Sequence, residues 1–293
     1  MIEVLDLTKV YGPHRAVDAL SFTAPAGKVT GFLGPNGAGK TTTFRCLLDL
    51  AEPTRGAALI NNRRYRELES PRREVGAVLE STGFHPARSG RDHLRVVARA
   101  AGMDGRRIDP LLELVGLSTA ATRPVGGYSL GMRQRLALAT ALLGDPAVIV
   151  LDEPANGLDP EGVAWVRKLM RSWADEGRTV VVASHVLAEV AQVVDRVVVI
   201  RAGTLVVETD LADLAAGVTV RVDRVDPLIA ALRAEGVDHD ILPDGAISVA
   251  GRATDDVGAL AARAGVTVTE LTGRSPGETL EAMFLAVTRG DGA

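Results

Sequence analysis

Short apolar runs broken by glycine turns fill the first part of the chain. "IEVLDLTKVY" and "AVDALSFTA" alternate or run apolar as strands do, and "KVTGFLG" reads as a buried strand running into a glycine turn. "GAALINN" and "VGAVLE" are further short strands, while "KTTTFRCLLDL" places its apolar residues on one helical face. From Ser89 to Leu117 the period becomes helical in "SGRDHLRVVARAAG" and "RRIDPLLELVGL", and "LGMRQRLALATALLG" continues it. "AVIVLDEP" and "RTVVVASH" are buried strands, separated by an amphipathic helix, "EGVAWVRKLMRSWADEG", that Gly177 closes. "DRVVVIRAGTLVVE" reads as a hairpin turning at Ala202–Gly203.

After Gly217 the order is strand "VTVRVD", helix "DPLIAALRAEG", strands "HDILPDG" and "AISVAG", helix "ATDDVGALAARAG" and strand "VTVTELTG". This βαββαβ order is the split pattern of a ferredoxin-like unit, and a last helix, "SPGETLEAMFLAVTRG", follows it. The pattern therefore predicts an α/β domain over residues 1–215, with a helical subdomain at about 85–145. A small α+β accessory domain follows over 216–293.

Composition narrows the partners. The 293 residues are 46% hydrophobic, enough for a substantial core, and the net charge of 33 − 37 = −4 argues against nucleic acid as the main partner. Cys46 is the one cysteine, so no intramolecular disulfide forms and a reducing compartment fits; a small buried side chain in a helix is its ordinary reading. No apolar run approaches the ~20 residues that span a bilayer, and "MIEVLDLTKVYG" lacks a signal-peptide pattern. Arginine outnumbers lysine 29 to 4 beside abundant Ala and Val, as in a GC-rich bacterial source.

One of those four lysines ends a glycine turn. "GPNGAGKT" comprises Gly34, Pro35, Asn36, Gly37, Ala38, Gly39, Lys40 and Thr41, with Thr42 next, and fits G-x-x-x-x-G-K-[ST] between a strand and a helix. Its glycines let backbone N–H groups turn around phosphate oxygens. Lys40 reaches the β- and γ-phosphates, Thr41 offers a hydroxyl to Mg²⁺, and the following helix aims its positive end at the same anion. A compact ammonium suits this pocket better than a forked guanidinium. The chain is thus expected to bind a nucleotide such as ATP with Mg²⁺.

"AVIVLDEP" ends a buried strand in two carboxylates, which is costly without a purpose. Alone, such a pair is read equally well as a helix N-cap. Beside the lysine loop, Asp152 serves Mg²⁺ and Glu153 polarises an attacking water.

The segment between the two motifs, with its surroundings, resembles the ATP-binding subunits of ABC transporters. "YSLGMRQRLALATALLGDPAVIVLDEPANGLDP" places a signature before a helix, then the acidic strand, then an Asn-Gly-Leu-Asp loop. "VVVASH" supplies His185, which resembles the family's switch histidine, and "KVYGPHRAVDALSF" places Tyr11 where the family stacks an adenine. The resemblance runs from about residue 2 to 210. It implies a P-loop cassette that dimerises head to tail with a second copy, with ATP between the phosphate loop of one and the signature of the other. Within "YSLGM", Ser129 and Gly131 match the widest signature, whereas Leu130 and Met132 depart from it. Glu80, in "GAVLESTGFHP", stands where the family usually has a glutamine that offers oxygen to Mg²⁺.

These departures, and a tail similar to Ser-Leu-Glu-x-x-Phe-Leu, resemble the subgroup that exports multidrug, anthracycline-type and bacitracin-type compounds. That resemblance implies two membrane permease subunits of the ABC-2 type on separate chains and a peripheral position at the cytoplasmic face of the membrane. Alternatives are a soluble ABC-type ATPase of translation or repair, and an importer subunit. One cassette, no heptads and one cysteine argue against the first.

Other residues take ordinary readings. His14, His85, His93 and His239 are scattered without ligand spacing and read as surface or core positions. Arg63, Arg64, Arg66, Arg72 and Arg73 form a solvated face, or else meet a membrane subunit or anionic lipid. "HPARSGRDHLRVVARAAG" falls, by resemblance, in the helical region that family members press against their membrane subunits.

Overall fold

The computed structural model describes residues 1–79, 83–184, 190–214, 217–242 and 244–273, with Glu278 and Leu280. The chain divides into two compact units, Met1–Glu208 and Thr209–Ala293. That division precedes the break at about 215 suggested by the pattern. The change of pattern at Gly217 marks where the next sheet strand begins.

In the first unit, β1 (Ile2–Tyr11), β2 (His14–Ala24) and β4 (Arg55–Ile60) form a three-stranded sheet in the order β2-β1-β4, antiparallel in both pairings. A six-stranded sheet runs β5-β6-β7-β3-β8-β9: Val75–Val78, Val148–Asp152, Thr179–Ser184, Val29–Leu33, Arg196–Arg201 and Thr204–Asp210. Strands β5, β6, β7, β3 and β8 are mutually parallel. Strands buried on both faces are near-continuous apolar runs, and every residue of β3, β6 and β7 is buried. One face, with Phe32, Val150, Val181 and Val198, shares a core with Ile2, Leu7 and Phe22 of the smaller sheet. Phe22 stacks on Phe32 at 4.9 Å and Phe32 meets Phe44 at 5.5 Å, which ties β2 and β3 to α1 (Lys40–Leu47). Cys46 lies buried in α1, and burial pushes its thiol pKa up, as expected of a structural cysteine.

The single turn α2 (Pro71–Glu74) leads into β5, and the helical stretch contains α3 (Gly90–Ala100), α4 (Ile108–Leu114) and α5 (Leu130–Ala141). Helix α6 (Pro160–Asp175) starts at an Asp159 cap that accepts from Gly162 N at 2.9 Å and buries Val166, Leu169, Met170 and Trp173. The β8–β9 connection is the expected two-residue turn: Ala202 and Gly203 both have positive φ, at 47° and 83°.

In the second unit, β10 (Gly217–Val222), β11 (His239–Ile241), β12 (Ile247–Ala250) and β13 (Val268–Gly273) form an antiparallel sheet in the order β11-β12-β10-β13. With helices Val225–Ala234 and Thr254–Arg263, this is the ferredoxin-like order expected from the alternation. Val218, Val220, Ile247 and Val249 meet Leu228, Leu232, Val257 and Leu260 in its core. Of the expected last helix only Glu278 and Leu280 are described, both helical, with Leu280 fully buried. Among the described residues no helix is long and apolar enough to cross a membrane.

Candidate functional site

Because β3 and β6 run parallel on either side of β7, the loops at their carboxyl ends open at the same edge of the sheet. That edge holds a cleft of about 480 Å³. Asn36, Gly37, Gly39, Lys40, Thr41 and Thr42 line one side, and Asp152, Glu153 and Asn156 line another. Tyr11, His14 and Ala16 add the β1–β2 hairpin.

Backbone geometry explains the glycines. Gly39 has φ 105°, and a Cβ there would sit 2.4 Å from Ala16 O; at Gly34 it would sit 2.5 Å from Ile200 O. The β8–β9 turn braces this loop from behind, where Gly203 N donates to Ala38 O at 3.0 Å and Asp18 N to Gly203 O at 2.9 Å. Lys40 is buried, and its ammonium donates to Gly34 O at 2.7 Å and Pro35 O at 3.2 Å. The loop's own carbonyls thus hold the charge where an anion would sit.

Asp152 is 2% exposed and accepts from Thr41 Oγ1 at 2.7 Å, which joins the two motifs directly. Glu153 leaves the strand with φ 51°, a left-handed backbone unusual for a side chain of its size, while its N–H donates to Ala183 O at 2.9 Å. This turn swings the carboxylate out of the sheet into the cleft. Gln134 Nε2 approaches Glu153 O at 3.5 Å, so α5 touches the same turn. The Tyr11 ring is 44% exposed, with Lys9 Nζ 4.7 Å from its centroid.

Comparison with known proteins gives the family. A family described as ABC transporter matches residues 17–156. The chain is 42% identical over 211 residues to the bacitracin transport ATP-binding protein BcrA of Bacillus licheniformis, covering 71% of this chain and 69% of that one. The chain belongs to the ABC transporter ATP-binding proteins. It is 35% identical to the lantibiotic transport ATP-binding protein SrtF of Streptococcus pyogenes, over 72% of this chain and 91% of SrtF. Among solved structures, an ATP-binding subunit of an ABC transporter superposes with a TM-score of 0.67 at 29% identity, over 73% of this chain and 91% of that one. The cassette MJ0796, in a dimeric post-hydrolysis state bound to ADP and Pi, shares the fold with a TM-score of 0.66 at 24% identity, over 72% of this chain and 98% of its own. Residues 216–281 match a family described as a domain of unknown function, DUF8746.

As a member of this family the chain is an ATP-binding ATPase subunit of a transporter, and its signature lies at the start of α5. Ser129 caps that helix, accepting from Met132 N at 3.2 Å. Ser129, Gly131 and Met132 do not line the cleft of their own chain. Gly131 and its neighbour Leu130 lie against the Asn-Gly-Leu-Asp loop: a Cβ on Gly157 (φ 77°) would lie 2.3 Å from Leu130 Cδ2, and one on Gly131 2.9 Å from Gly157 O. His185 and Glu80 lie outside the described residues.

The cleft also contains residues the sequence reading did not select. His14, read as scattered, sits exposed at its mouth because the β1–β2 turn is there. Asn156 belongs to the quoted Asn-Gly-Leu-Asp loop, a signal that could have flagged it.

Proposed function

We propose that this ATPase subunit powers export of a drug-like or antibiotic-like compound through two separate membrane permease subunits of the ABC-2 type. Two copies pack head to tail, and each ATP lies between the phosphate loop of one copy and Ser129, Gly131 and Met132 of the other. The observation that carries this reading is the junction of Lys40, Thr41, Asp152 and Glu153 in one cleft, with the signature residues outside it. Bacitracin and lantibiotic transport by the similar proteins support the substrate class. Export places the chain at the cytoplasmic face of the membrane, held there by its partners.

The roles follow from chemistry. Lys40 exchanges its carbonyl partners for β- and γ-phosphate oxygens, while backbone N–H groups from Asn36 to Thr42, at the start of α1, surround the anion. The Tyr11 ring supports the adenine. Glu153 accepts a proton from the attacking water, and His185 takes the part of the family's switch histidine.

Thr41 and Asp152 already share a hard-oxygen corner of the cleft, and no group of three or more His, Cys, Asp or Glu residues clusters as a metal cage among the described residues. That donor set fits Mg²⁺, which is commonly bound through one or two carboxylates together with substrate phosphates. Thr41, Asp152 and Glu80 would hold the ion, which would supply neutralisation of phosphate charge.

The test is ATP hydrolysis by the purified chain, with Mg²⁺, with EDTA, and with Lys40→Ala. Turnover that needs both the ion and the lysine is expected. Hydrolysis unchanged in Lys40→Ala would overturn the assignment.

A further inference from the structure

Helix α3 carries Arg91, Arg95 and Arg99 four residues apart, so the three side chains share one face. Like charges at this spacing repel unless anions answer them. All three line a cavity of about 220 Å³ between α3 and α4, with Met103 and Ile108 on its apolar side and Asp109 at its edge. Arg91 pairs with Asp109 at 2.9 Å, and Arg95 with Asp92 at 2.9 Å. Asp92 does not line the cavity and also accepts from Ser89 Oγ at 2.7 Å. Arg99 is exposed and has no ion pair among the described residues. Arg91 Nε is buried without a hydrogen-bond acceptor among them.

Three guanidinium groups against Asp109 and the Arg95-paired Asp92 leave 3 − 2 = 1 positive charge at the cavity, in a chain whose net charge is −4. The excess is local, and it lies outside the cleft that holds Lys40. Asp109 is 71% exposed and its pair with Arg91 is weakly held, so an incoming anion displaces it readily. Planar guanidinium forks match phosphate oxygens in pairs, and a phosphate monoester carries roughly −1.5 to −2 charge at neutral pH.

We propose that the α3–α4 cavity binds a phosphate monoester group through Arg91, Arg95 and Arg99. The group comes either from a soluble phosphate compound or from a phosphomonoester lipid headgroup.

Two arms of one experiment distinguish the sources. The full chain is titrated calorimetrically with inorganic phosphate. It is also floated with phosphatidylcholine vesicles that contain phosphatidic acid, or phosphatidylglycerol at matched surface charge. Phosphate also suits the loop around Lys40, so both arms are repeated on Lys40→Ala and on Arg95→Ala/Arg99→Ala. Saturable binding is expected that survives Lys40→Ala and falls at least about tenfold in the double variant. ATP hydrolysis by the double variant should match that of the unaltered chain. Binding of free phosphate identifies a soluble ligand, and binding of phosphatidic acid vesicles alone identifies a lipid. If the double variant does not fold, Arg99→Gln alone replaces it. No binding in either arm, binding indifferent to the arginine substitutions, or equal flotation with both anionic lipids and no phosphate binding would overturn the proposal.

Discussion

Thr41 Oγ1 donates to Asp152 Oδ2 at 2.7 Å, across 111 residues of sequence. The bond joins the first turn of α1 to the end of β6 and gives a carboxylate only 2% exposed one of its donors. Thr41→Val keeps the shape and removes the donor. It should cost about 1–3 kcal/mol in urea unfolding, because a buried acceptor loses its partner. Thr41→Ser should lose far less. Equal losses for both substitutions would show that the hydroxyl is not what matters.

Gly157 and Leu130 are a second coupled pair. A methyl at residue 157 would press on Leu130 and impose a left-handed φ of 77° on a side chain. Gly157→Ala should therefore displace the start of α5 while leaving the phosphate loop intact. ATP affinity should stay within about twofold and turnover should fall roughly tenfold, since small misplacements of positioning groups are costly. Nucleotide titration beside steady-state hydrolysis checks this, and a parallel loss of both would mean a general folding defect.

Much of this architecture is legible in the chain because local chemistry is strict. Only glycine tolerates φ 105° at Gly39 beside Ala16 O, so the loop around Lys40 announces itself. The order of β10 to β13 follows from short alternating runs whose inward valines meet two amphipathic helices. What escapes the sequence depends on long-range approach. Nothing in "LDEP" reveals that Glu153 adopts φ 51°, and nothing in "YSLGM" reveals that Leu130 rests against Gly157. The arginines of α3 look like a solvated stripe, and their spacing does not reveal that Met103, Ile108 and Asp109 line a hollow beside them.

Tyr11 projects into the cleft with Lys9 set against its ring. Tyr11→Ala should weaken ATP binding by about 1 kcal/mol, or about fivefold, with little change in turnover at saturating ATP. Fluorescent-nucleotide titration is the measurement. Unchanged affinity would make Tyr11 an ordinary strand-end residue.

His93 provides a pH test. Its ring meets Phe84 edge-on at 4.8 Å and its Nδ1 is buried without an acceptor among the described residues. Burial, and next the Arg88 guanidinium, hold the imidazole below its ordinary value of 6.5. The unfolded chain therefore binds the proton first as pH falls. Stability should drop from about pH 6.5 downward through the lower folded value. His93→Phe should lose less stability than the unaltered chain between about pH 7.5 and about pH 5.5. Identical pH profiles of the urea midpoint would remove His93 from the account.

In the proposed cycle Glu153 serves hydrolysis while ATP binds between two copies. Glu153→Gln keeps the side chain's shape and removes the proton acceptor. Size-exclusion chromatography of this variant with Mg-ATP, run beside its turnover, is the decisive measurement. The expected result is a dimer that persists with ATP, is absent without it, and hydrolyses almost nothing. A monomer under both conditions, or turnover within about threefold of the unaltered chain, would contradict it.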